Sequence, residues 1–139
     1  MICRCGRQIH DLSLWAAAAM RGSGLPARWR KAFAAGTLPI TTRQQFPTLL
    51  PDAPPADRPR ASAALGVVAF AGAPGPGWFK GGHNDTTANT LVCIERRKRC
   101  VLILSNDVRA ERAFPMLVRA VLCETGVPYR WEYPGLPNY

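Results

Sequence analysis

The stretch "FKGGHNDTTANTLVCIERRKRCVLILSND", residues 79–107, sets the reading of the whole chain. It holds two runs, "NTLVCIE" and "CVLILSN", joined by the basic tetrapeptide Arg96-Arg97-Lys98-Arg99. Both runs are apolar at alternating and at intervening positions, which predicts central strands covered on both faces. The tetrapeptide is then a hairpin tip. If the turn centres on Arg96 and Arg97, Cys93 and Cys100 face each other across the ladder, where a disulfide is conceivable given favourable geometry. Ahead of these runs stands "WFKGG", a further strand that brings Lys80, Gly81, Gly82 and His83 to its end, followed by Asn84 and Asp85.

Working outward, "AALGVVAF" reads as a short, partly β-branched strand and "GAPGPG" as the turn that follows it. Prolines interrupt the glycines of that turn and a strand comes next, so it is not a dinucleotide loop, which needs a helix N-terminus for the phosphates. Six prolines between Thr37 and Ala61 forbid long regular structure and predict an extended loop. Two helices are expected before it. Asp11 can cap the first, Leu12, Trp15, Ala16 and Ala19 recur on one face, and Gly22 can take the left-handed position at its end. The second, "LPARWRKAFAAG", starts with Pro26 in its first turn, stops at Gly36 and marks its buried side with Trp29 and Phe33.

After the hairpin, Phe114, Leu117, Val118, Val121 and Leu122 follow helical spacing, with Pro115 at the start or at a kink and Gly126 as the stop. The tail "VPYRWEYPGLPNY" is expected to pack irregularly on the surface. The resulting order predicts an α+β fold, an antiparallel sheet of about four strands flanked by helices. The parts are a helical segment over 9–36, a Pro-rich loop over 37–61, strands and a helix over 62–126, and a tail over 127–139.

Length and composition, 139 residues with 47% apolar and 19% charged, fit one domain with its own core. Eighteen Lys and Arg against nine Asp and Glu leave a net charge of +9, which favours anionic partners in general. The basic residues form no long stripe with interleaved aromatics, so nucleic acid is not the expected partner; the alternative reading is a small basic nucleic-acid-binding or interaction module that uses the hairpin tip. The five cysteines do not reproduce a paired CxxC frame, and neither a metal site nor a cofactor is expected. "LSLWAAAAM" imitates a signal peptide, but His10 and Asp11 abut it and Arg21 follows at once, so a helix fits better and localisation stays open. No stretch is long enough to cross a bilayer.

The order strand, Lys-x-Gly, hairpin, "LSN" and amphipathic helix resembles the C-terminal third of serine β-lactamases and penicillin-binding proteins, above all the class C type and its esterase relatives. The resemblance runs from about residue 9 to about residue 126 and implies a partial β-lactamase/transpeptidase-like fold. It implies that Lys80 stands for the motif lysine, supplying positive charge beside the substrate and to the proton-transfer network. Gly81 falls where that family has a hydroxyl residue, and Gly82 matches the glycine that lets substrate lie along the strand edge. His83 would offer its backbone N–H to an oxyanion hole. The chain contains no Ser-x-x-Lys and no Tyr-x-Asn or Ser-x-Asn motif. The expectation is therefore a C-terminal piece of a serine hydrolase acting on a β-lactam, a peptide or an ester. Its nucleophile lies outside this chain, and apolar surface is exposed where the remainder docks. The family is usually exported. A triad of Ser105, His83 and Asp85 or Asp107 is a further arrangement that only geometry can decide.

Overall fold

The computed structural model describes residues 4–45, 52–133 and 135–136, with the side chains described from residue 9 onward. Its elements are α1 (Arg4–Arg21), α2 (Ala27–Phe33), β1 (Leu38–Pro39), β2 (Ala61–Ala63), β3 (Val68–Gly72), β4 (Gly75–His83), β5 (Ala88–Ile94), β6 (Arg99–Ser105), α3 (Phe114–Leu122) and α4 (Tyr129–Glu132). The fold is α+β. The strands form one antiparallel sheet of six in the order β1-β2-β3-β4-β5-β6, an uncrossed meander. Of the two strands beyond the expected four, β1 lies in the proline-rich segment and β2 begins at its last residue. Leu38 and Pro39 pair with Ala63 and Ser62, so part of that loop is an edge strand. An edge tolerates a proline because one side of the strand makes no ladder bonds.

Register sorts the side chains onto two faces. Phe79, Val92 and Val101 lie opposite one another on the first face; Trp78, Cys93 and Cys100 do so on the second. On the first face Phe70, Phe79, Val92 and Ile94 pack with Phe114, Val118 and Leu122 of α3 and with Val127, Tyr129 and Tyr133 of the tail. Fully burying a side chain such as Phe79 contributes roughly 1.5–3 kcal/mol. On the second face Trp78 and Leu91 pack with Ala16 and Met20 of α1. The Trp78 ring meets Trp15 and Phe33 edge to face, at 6.1 and 5.3 Å between centroids.

Several local expectations are corrected by this packing. Helix α1 begins at Arg4, so Asp11 lies inside it and is not its cap. Its end is as expected: Gly22 has φ +69°, Ser23 N–H donates to Ala18 C=O and Gly22 N–H donates to Ala19 C=O, the paired bonds of a glycine-terminated helix. Phe33 packs inward, whereas Trp29 is exposed with the Arg28 guanidinium 5.5 Å from its ring. Helix α2 stops at Phe33, before Gly36. The turn after β3 is short: Gly72 pairs with Gly75, and Pro76 and Gly77 belong to β4. β5 is central and buried, but β6 is the last strand of the sheet and only half-buried, because nothing pairs beyond it among the described residues.

At the C-terminal end, Asp107 accepts a bond from Arg109 N–H at the start of a 3₁₀ segment, Val108–Ala113, which leads into α3. Pro115 sits in the first turn of α3, where its missing N–H costs no helical bond. Phe114, Val118 and Leu122 face inward; Leu117 and Val121 are exposed. The helix ends at Cys123, φ +65°, not at Gly126. Gly126 instead rests against the Gly72 Cα, a contact that a Cβ on either residue would break. The tail is core material. Val127, Tyr129, Glu132 and Tyr133 are all buried, which overturns the expected surface packing.

Candidate functional site

The sequence points to the end of β4, and the ladder shows which way its backbone faces. Glu95 N–H donates to Pro76 C=O at 3.0 Å, so the even-numbered residues of β4, through Lys80 and Gly82, exchange bonds with β5. The odd-numbered residues turn to the other side. Gly77 and Phe79 meet Phe70 and Val68 of β3 there. β3 begins at Val68, so Gly81 and His83 have no strand opposite them among the described residues. Their N–H and C=O groups have no ladder partner on that side among the described residues; Gly81 is nevertheless buried beside Glu132, and the unpaired edge is open only at His83, which is exposed.

Lys80 is exposed at that edge, and its ammonium donates to the Gly81 carbonyl at 2.8 Å. Gly82 has open space where a Cβ would stand. Gly81 is the opposite case. A Cβ there would overlap the Glu132 carboxylate, which α4 lays against the strand from the first face. The four residues singled out from sequence are thus consecutive at the end of β4, with Gly81 and His83 turned to the unpaired side and Lys80 and Gly82 to β5, while the side chains of Lys80 and His83 leave on opposite faces.

Around Glu132 the covered face is polar. Thr90, paired with Gly81 across the ladder, buries its Oγ1 without a hydrogen-bond partner among the described residues, as do the Tyr129 hydroxyl and Glu111 Oε2. His83 Nδ1 lies 3.8 Å from Glu111 Oε2, and its ring is 5.5 Å from that of Tyr133. The Tyr133 hydroxyl donates to Asn89 C=O at 3.2 Å. Burial raises the Glu132 carboxyl to about 7; the Lys80 charge opposes that rise and the Glu111 charge adds to it. Burial, followed by the Glu132 charge, pushes both Tyr129 and Tyr133 well above the ordinary phenol range.

Asn84 has a structural role. Its Oδ1 accepts from Thr86 N–H at 2.9 Å and Thr87 N–H at 2.8 Å, closing the β4–β5 turn. Ser105, Asp107 and His83 of the imagined triad are engaged elsewhere. The Ser105 hydroxyl donates to Asp107 C=O at 3.1 Å, and the Asp107 carboxylate is held by Arg109, whose side-chain hydrogen bonds draw it down to about 2. His83 turns to a glutamate. No group of three or more metal-ligating side chains occurs among the described residues.

Glu132, Glu111, Thr90 and Tyr133 were not legible as site residues. The available signal was a lone glutamate in a tail dense with aromatics, which marks burial more than chemistry. The chain matches no family model, no curated protein and no solved structure.

Proposed function

We propose that the chain is the C-terminal part of a β-lactamase-like serine hydrolase and supplies one wall of an acyl-transfer site that residues outside it complete. The observation that carries this reading is the backbone parity of β4. The residue after Lys-x-Gly, His83, is exposed and turns its N–H to an edge that no strand covers among the described residues, where it can donate to the oxyanion of a tetrahedral intermediate. Lys80 brings the positive charge, and Gly82 leaves room for a substrate to lie against the strand.

In this mechanism a serine outside the chain attacks the carbonyl of a β-lactam, peptide or ester, and the His83 N–H holds the developing negative charge. Lys80 stabilises the anionic side of the substrate and takes part in proton transfer. The meander order, with helices on both faces, is consistent with the partial β-lactamase/transpeptidase-like fold.

The test lies in the DNA upstream of the Met1 codon, read in every frame. An encoded Ser-x-x-Lys region is expected, and its absence would remove the nucleophile and the reading with it. The chain alone should take no covalent label from a fluorescent penicillin or fluorophosphonate. Stable labelling would contradict the assignment of the nucleophile to another segment.

A further inference from the structure

The position that Gly81 leaves empty is filled from elsewhere in the chain. Glu132, 5% exposed, sits with its carboxyl where the Gly81 side chain would be, on the covered face of β4. Three buried polar atoms without hydrogen-bond partners among the described residues, Thr90 Oγ1, the Tyr129 hydroxyl and Glu111 Oε2, belong to β5, α4 and the 3₁₀ segment around it. A buried carboxyl in such surroundings is costly unless it is used, since an apolar side chain would pack the same volume without the desolvation.

We infer that Glu132 is the positioning residue of the β4 edge: its carboxyl occupies the side-chain place of Gly81 and, together with Lys80, fixes the backbone from Gly81 to His83. This rests on the hydrolase reading for its purpose but not for its geometry. Lys80 binds the Gly81 carbonyl from the solvent side while Glu132 bears on the Gly81 Cα from below, so the peptide between them is held from two directions. The charged and titratable groups facing Glu132 are Lys80 on β4, Glu111 on the 3₁₀ segment, and Tyr129 and Tyr133 on and after α4; His83 reaches the same cluster through Glu111. A change in the charge of Glu132 is therefore passed directly to the edge amides.

Two measurements on the chain itself test this. Gly81→Ala puts a methyl group into the carboxyl's place. It should lower the folded-to-unfolded ratio by about ten-fold or more in the native background, and by less than about two-fold in a Glu132→Ala background. If Gly81→Ala alone does not fold, the double variant should regain the fold. Equal losses in both backgrounds, or a double variant that stays unfolded, would overturn the inference.

The second measurement keeps the shape and removes the charge. In a His83→Gln background, which silences the imidazole, the amide shifts of Gly81 and of residue 83 should follow an ionisation with a midpoint at about 7. Adding Glu132→Gln should abolish it. An ionisation that persists there, or never reaches these amides, overturns the positioning role. Neither measurement needs a nucleophile, so the inference can fail while the hydrolase reading stands, and the reverse also holds.

Discussion

Glu132 and Gly81 show how a pair of residues 51 apart in sequence constrain each other, and the pair sets a sign for pH dependence. The Glu132 carboxyl is raised to about 7 in the folded protein from 4.5, first by burial. The folded state then binds more protons than the unfolded state between those values, so stability falls as pH rises through that window and is fully reduced above it. The size is up to about 3 kcal/mol for a shift of this order. Glu132→Gln is expected to match the native protein near pH 4 and to exceed it in urea midpoint at pH 8. A native midpoint that is flat or rising over the window would contradict the burial of this carboxyl. Close glycine packing gives a second expectation at this scale: Gly126→Ala places a Cβ against the Gly72 Cα at positive φ and should cost about 1–3 kcal/mol, read as a lowered urea midpoint. At the residue scale the sequence showed Lys80, Gly82 and His83 because chemistry-bearing residues at a strand end stand out. It hid Glu132 because the tail that carries it is too short and too proline-rich to show a period.

Among the elements, the β5–β6 hairpin was the most legible, since its turn charges and its cysteine spacing agree on one register. Cys93 and Cys100 are bonded as a disulfide across a pair of residues that make no ladder bonds to each other, the closer kind of antiparallel pair, at 4.1 Å between Cα atoms. Closing a loop of seven residues' separation contributes about 2–3 kcal/mol in the chain-entropy account. Reduction, or Cys93→Ala with Cys100→Ala, should lower the thermal midpoint by several degrees while far-ultraviolet circular dichroism keeps its shape. An unchanged midpoint would contradict a structural disulfide. What the hairpin pattern could not reveal is that β6 closes the sheet. A strand with α1 over one face and α3 over the other is apolar on both, whether or not a neighbour pairs with its far edge. Likewise β1 and β2 are too short to register as periods, and they are held as strands by pairing that only the folded chain supplies.

Across the whole molecule, the first two helices leave Ile9, Leu12, Leu14 and Trp15 on α1, Leu25 in the turn and Trp29 on α2 at least 40% exposed. A surface of this kind associates in water when it has no cover. Light scattering of the isolated chain should therefore show mass rising with concentration, and Leu14→Glu with Trp29→Glu should suppress it. A clean monomer in the native chain would count against a missing neighbour on that side. No helix among the described residues is long and apolar enough to cross a membrane. The open edge of β4 is the feature on which the functional account turns, and it can be observed without any substrate. Amide hydrogen exchange, resolved residue by residue, should find the Gly82 N–H slow, because it bonds to β5, and the His83 N–H fast, because His83 is exposed and faces no strand among the described residues. Protection of the His83 amide equal to that of Gly82 would mean a covered edge, with no donor left to meet an oxyanion.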